Sequence, residues 1–120
     1  MDSDAQVFAG LPVRDLAAAL DWYAAFFGRP ADEIVGDEAM WQVAGTAWLF
    51  VAPDERRAGG GLVTLGVQSL EPYLSRWQAA GLEHEPVETY GNGVRHVTIV
   101  DPDGNSVSLA GAPSPDGRER

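Results

Sequence analysis

The stretch VRDLAAALDWYAAFFG, Val13 to Gly28, decides the fold once it is set beside VQSLEPYLSRWQAAG, Val67 to Gly81. In the first, Leu16, Leu20, Tyr23 and Phe27 recur at helical spacing, with Ala19, Trp22 and Phe26 beside them. Asp15 precedes the stripe as an N-cap, and Gly28 and Pro30 end it. In the second, Leu70, Tyr73, Leu74 and Trp77 form the stripe, Ser69 is the expected cap, and Pro72 fits only a first helical turn. The two copies are 54 residues apart: Val13 matches Val67, Asp15 matches Ser69, Leu20 matches Leu74, and Tyr23 matches Trp77. The chain is an internal repeat of two helical units.

Working outward, each helix is flanked by short β-prone runs. Gln6–Val13 precedes the first helix, and Glu33–Asp37, Met40–Ala44 and Thr46–Val51 follow it. Leu62–Val67 precedes the second, and Glu85–Tyr90, Val94–Val100 and Ser106–Ala110 follow it. Gly91-Asn92-Gly93 and Asp101-Pro102-Asp103-Gly104-Asn105 are turn sequences. The expected fold is α+β, a single domain over residues 1–120. It holds two βαβββ modules, about 6–52 and 61–110, joined by the polar, glycine-rich linker Ala52–Gly61, with a loose tail over 111–120. One module cannot cover both faces of its own sheet. Two modules side by side form one curved mixed sheet with helices on the convex side and a cleft on the concave side.

Composition narrows the function. Among 120 residues, 18 are acidic and 8 basic, a net charge of -10, and every basic residue is Arg. A surface this negative argues against nucleic acid, which needs basic groups for its phosphates. The absence of Cys excludes thiolate zinc sites and Cys nucleophiles. No apolar run approaches a membrane span, and the acidic start MDSDAQ is unlike a signal peptide, so a cytoplasmic location is expected. The cluster Gly59-Gly60-Gly61 lacks the Lys and Ser/Thr of a phosphate loop.

Val13-Arg14-Asp15 leading into Asp21–Gly28, Leu65-Gly66-Val67, and the Asp101–Asn105 turn together resemble the vicinal oxygen chelate superfamily. That group comprises glyoxalases, bleomycin-resistance proteins and dioxygenases. The resemblance runs from about Val7 to Ala110. It implies the paired-module fold, a homodimer, and for the enzymes a divalent metal held from the first and last strands of each module. Carried onto this chain, the ligand positions are Phe8, Leu49, Leu62 and Ser108, with a register slip of one or two residues allowed around Leu49. Three are hydrocarbon and one is a neutral hydroxyl, whereas divalent ions need carboxylate, carbonyl or imidazole donors. No metal or other cofactor is expected.

Strand alternation sets Phe8, Leu49 and Leu62 on one face with Ala47, Val51, Thr64 and Ser108, and sets Trp48 and Phe50 toward the helices. Trp41 can face either way, and Tyr90 is a spare aromatic. His96 is a candidate hydrogen-bonding partner or general base, and Asp37, Glu38 and Glu88 are candidate partners for a cation. The expected site is thus a ligand-binding cleft built from Phe8, Leu49, Leu62, Ser108, Trp41, Tyr90 and His96, with no catalytic residue assigned. The function read from it is metal-independent binding of a small aromatic or cationic compound, such as an antibiotic. Two alternatives stay open: a superfamily enzyme (lyase, isomerase or dioxygenase) with atypical or no metal ligands, and an interaction domain whose cleft is closed.

Overall fold

The computed structural model describes residues 4–113. Asp15 has an extended backbone, and its carboxylate accepts the Ala18 N–H at 3.3 Å, so the first helix, α1, spans Leu16–Phe27 and ends on Gly28 at φ 75°. The second, α2, spans Glu71–Ala80 and ends on Gly81, also at φ 75°. Its N-cap is Leu70 rather than the expected Ser69, and no side chain caps it. Ser69 Oγ instead accepts the Glu71 N–H at 3.3 Å.

The strands are β1 (Val7–Val13), β2 (Glu33–Val35), β3 (Glu38–Ala44) and β4 (Ala47–Pro53), then β5 (Leu62–Val67), β6 (Glu88–Thr89), β7 (Arg95–Val100) and β8 (Ser106–Gly111). They form two four-stranded mixed sheets, ordered β1-β4-β3-β2 and β5-β8-β7-β6. In each, the first strand runs parallel to the last and the other pairs are antiparallel. The two-module reading holds, but the ladders stop at the module boundary: β1 and β5 are both terminal strands. The expected strand Glu85–Tyr90 shrinks to Glu88–Thr89. Pro86 has no N–H to give, and upstream of it one bond survives, from Glu85 N to Thr98 O at 2.9 Å. Gly111 belongs to β8, and residues 114–120 of the expected tail lie outside the described residues.

The core lies between helices and sheets. Trp77 stacks on Phe26 across the modules, centroids 5.2 Å apart, and its Nε1 donates to Phe26 O at 3.1 Å. Trp41 stacks on Phe27 at 5.1 Å and donates to Arg29 O at 3.1 Å. Arg95 is buried on the same side, and its guanidinium donates to Glu71 at the start of α2.

The Asp101–Asn105 turn ties the modules. Asp101 Oδ1 accepts the N–H groups of Asp103 and Asn105, both at 2.9 Å. Asp101 Oδ2 accepts Tyr23 OH at 2.7 Å and Asn105 Nδ2 at 2.8 Å. Asn105 also donates to Pro12 O at 2.7 Å and accepts the Gly61 N–H at 2.6 Å. Burial first, then the hydrogen bond to Asp101, pushes the Tyr23 phenol far above its ordinary range.

Below about pH 10 that tyrosine is protonated in both folded and unfolded chains. Above it, the unfolded chain ionises and the folded one does not, so stability falls as pH rises, by about 1.4 kcal/mol per unit for this group. Urea unfolding of Tyr23→Phe at neutral pH should show a loss of about 1–2 kcal/mol. Between pH 10 and 11.5 the gap to the wild type should shrink; a gap that stays constant would refute this role for Tyr23.

Candidate functional site

Register and burial separate the two faces of each sheet. In the first, Leu11 pairs with Val51 and Leu49 with Trp41; all four are fully buried beneath the helices. The opposite, open face carries Phe8 beside Trp48 and Gly10 beside Phe50. This corrects the expected orientation. Leu49 and Trp41 are core residues, as are Val51 and the face of Ala47, while Trp48 and Phe50 stand on the open side with Phe8. The run Ala47–Val51 is apolar throughout, so hydrophobicity alone could not fix its phase, and a one-residue slip exchanges the faces. Strand pairing exposes the phase through the equivalence of the two modules. Gly10 pairs with Phe50 as Thr64 pairs with Ser108, so Phe50 is the counterpart of Ser108.

In the second sheet, Val63, Leu65, Val97, Ile99, Val107 and Leu109 face the helices. Leu62, Thr64, Ser108, Thr98 and His96 share the open face. Ser108 is buried, and its Oγ lies 2.7 Å from Thr98 Oγ1. Leu62 is 80% exposed and Phe8 51%. His96 stacks on the exposed Tyr90 ring, centroids 5.6 Å apart at 27°. Its Nδ1 is 3.7 Å from Glu88 Oε1, beyond hydrogen-bond range, and is buried without a partner. Of the sequence-expected residues, the structure therefore brings Phe8, Leu62, Ser108, Tyr90 and His96 to the open side.

The segment after β4, read from sequence as a linker, also forms a wall of this face. Arg57 pairs with Asp54 at 2.9 Å, and its guanidinium, then its own backbone N–H, hold the Asp54 carboxyl below the usual range. Gly60 N donates to Arg57 O at 3.0 Å and Gly59 N to Pro12 O at 3.4 Å, folding the loop back against the end of β1. Two hollows result. One, about 180 Å³, is bounded by Gly10, Pro12, Phe50, Ala52 and Arg57. The other, broad and open at about 840 Å³, is bounded by Gly10, Pro12, Arg56, Arg57 and Leu62. Gly10 forms their common floor, and the Phe50 ring lies over the space its side chain would take.

The positions equivalent to a first-and-last-strand metal site are Phe8, Phe50, Leu62 and Ser108. The only oxygen among them is already engaged with Thr98. Among the described residues, no group of three or more His, Asp or Glu side chains is placed to hold an ion. This donor set does not fit a divalent metal.

A family model described as the Glyoxalase/Bleomycin resistance protein/Dioxygenase superfamily matches residues 5–109. A glyoxalase/bleomycin resistance protein from Catenulispora acidiphila DSM 44928 is 36% identical, with a TM-score of 0.85 over 91% of this chain and 99% of its own. A bleomycin resistance determinant encoded on transposon Tn5 is 20% identical, with a TM-score of 0.73 over 88% of this chain and 96% of its own. A bleomycin-binding protein solved in complex with bleomycin is 19% identical, with a TM-score of 0.71 over 93% and 99%. The latter two likenesses show a shared fold. No curated protein matches significantly.

Gly10→Ala should displace the Phe50 ring and close the smaller hollow, at a cost in folding of about 1 kcal/mol because the ring is half-buried and free to swing outward. A crystal structure of the variant with Phe50 unmoved would contradict this packing.

Proposed function

The chain belongs to the glyoxalase/bleomycin resistance protein/dioxygenase superfamily, and from that premise we propose that it is a metal-independent binding protein that sequesters a small aromatic compound, antibiotics included, on the open face of its sheets. The observation that carries the proposal is hydrocarbon at Phe8, Phe50 and Leu62, with the Thr98–Ser108 hydroxyl pair among them. An apolar concave surface with few polar groups suits a small-molecule site. Each 100 Å² of apolar surface covered would contribute about 2.5 kcal/mol, and the rings of Phe8, Trp48 and Tyr90 offer stacking surfaces. Sequestration requires no nucleophile, base or metal. The bleomycin-binding neighbour supports a bound small molecule; the compound bound here is part of the proposal. A cationic ligand would rest on the net charge of -10 and on Glu88 at the rim. The aromatic body rests on the cleft itself.

The proposal includes a homodimer. Phe8, Leu62 and Val100 are 51%, 80% and 42% exposed on the open face, more apolar side-chain surface than one copy covers by itself. A second copy laid on this side would cover it and deepen the cleft. Light scattering at micromolar concentration should give twice the 12.8 kDa chain mass; a monomer would rule the dimer out. Elemental analysis of the same sample should find no stoichiometric divalent metal, and one ion per chain would overturn metal independence.

An enzymatic reading has one observation in its favour, the buried Nδ1 of His96 on the open face, which makes no hydrogen bond and lies 3.7 Å from Glu88 Oε1. Turnover abolished by His96→Ala would establish it.

Trp48 is the tryptophan on the open face, while Trp41 and Trp77 are fully buried under the helices. Titration with planar aromatic compounds should quench tryptophan fluorescence saturably. Trp48→Phe should remove most of the quenching, and Phe8→Asp should weaken binding at least about tenfold. Absence of saturable quenching across the panel would sink the proposal.

A further inference from the structure

The segment joining the modules places two adjacent arginines, Arg56 and Arg57, at the edge of the cleft. Arg14, Arg29, Arg57 and Arg95 each hold a carboxylate: Asp103, Asp32, Asp54 and Glu71. Arg76 lies over the Tyr73 ring, 5.3 Å from its centroid. The Arg56 guanidinium has no acidic, hydrogen-bonding or ring partner among the described residues. In a chain of net charge -10 an unengaged arginine is a conspicuous exception, since acidic partners are abundant.

Its position gives the exception meaning. Arg56 and Arg57 both border the broad hollow, across from Gly10, Pro12 and Leu62. Of the neighbouring acids, Glu55 borders neither hollow, and Asp54 borders the smaller one, where it holds Arg57. The loop is folded rather than trailing, with bonds from Arg57 N to Asp54 O at 3.2 Å and from Gly60 N to Arg57 O at 3.0 Å. Arg57 spends one of its five N–H donors on Asp54, and Arg56 keeps its whole fork. A guanidinium fork fits a carboxylate, sulfonate or phosph(on)ate, and its bonds to such groups are charge-assisted. Asp54 and Glu55 offset the two guanidinium charges of the loop, so any preference for an anion comes from direct bonds to the Arg56 fork and not from the local field.

We infer that Arg56, with Arg57 beside it, forms an anion subsite at the mouth of the cleft. The ligand class is an apolar or aromatic body bearing one carboxylate, sulfonate or phosph(on)ate. The inference rests on the reading of this face as a ligand cleft and gives the ligand a negative charge at the loop, in place of the cation that the net charge of -10 suggests. The body lies along Phe8, Phe50 and Leu62, and the anionic end meets the loop.

A matched pair of probes separates the two claims in the full-length protein. 8-Anilinonaphthalene-1-sulfonate carries one anion, and N-phenyl-1-naphthylamine is its uncharged parent. The wild type should bind both saturably and prefer the sulfonate by about fivefold. Arg56→Gln should abolish that preference. Arg76→Gln removes the same formal charge on the helix side and should leave the preference in place. If the neutral probe binds and the sulfonate is not preferred, or if Arg56→Gln leaves the ratio unchanged, the anion subsite is wrong while the cleft stands. If both variants lower the ratio equally, the effect is net charge alone and the subsite is again wrong. If neither probe binds saturably, the cleft reading falls and the subsite falls with it.

Discussion

A single buried carboxylate governs the geometry. Asp101 is 4% exposed and accepts four hydrogen bonds, two from its own turn's backbone, one from Asn105 and one from Tyr23. A carboxylate taken out of water costs several kcal/mol unless its oxygens are fully satisfied. The turn supplies three of the four donors. The last comes from α1, in the other module, so the cost is met only when the modules sit in one relative position. The Phe26–Trp77 stack contributes more apolar burial at the same junction, but burial is indifferent to direction. Hydrogen bonds to Asp101 select one orientation from the many that would bury those rings.

That lock explains how a cleft survives at the module boundary. Asn105 grips Pro12 O at the end of β1 and the Gly61 N–H just before β5. With those ends fixed by a side chain, β1 and β5 need no ladder between them. Glycines then let neighbours pack closely at this junction: Gly61 has Leu11 and Asn105 where a side chain would project, and Gly10 lies beneath the Phe50 ring. The same side chain that joins the modules therefore also sets the gap in which the hollows form.

Much of this was legible in the sequence. The 54-residue offset gave both helices and the paired-module plan because helix stripes and caps are local signals. The Asp101–Asn105 run was readable as a turn, but not as a lock, since its partner Tyr23 is 78 residues away and no local pattern joins them. Pro86 cannot donate to a ladder, and for that reason the expected strand Glu85–Tyr90 reduces to Glu88–Thr89. The phase of Ala47–Val51 was not legible, because Trp48, Leu49, Phe50 and Val51 are all hydrophobic and both faces look alike. Pairing with β1 decides it, and pairing is a tertiary fact. The arginine loop was invisible as a site for a related reason: its composition is that of a linker, and only its fold-back onto β1 brings Arg56 to the cleft.

The two faces of each sheet contribute to different free energies. Leu49, Trp41 and Val51 are fully buried and stabilise the fold. Leu62 is 80% exposed and Phe8 51% exposed, so folding a single copy leaves most of the Leu62 surface and about half of the Phe8 surface in water. The favourable burial available to these side chains comes when something else covers them. An apolar side chain that contributes less to folding than to association belongs to a binding surface, whether the covering group is a ligand, a second copy or both. It follows that open-face changes should move affinity with little effect on stability, whereas changes beneath the helices should do the reverse. The separation arises from strand geometry, which sends neighbouring residues such as Trp48 and Leu49 to opposite faces of one sheet.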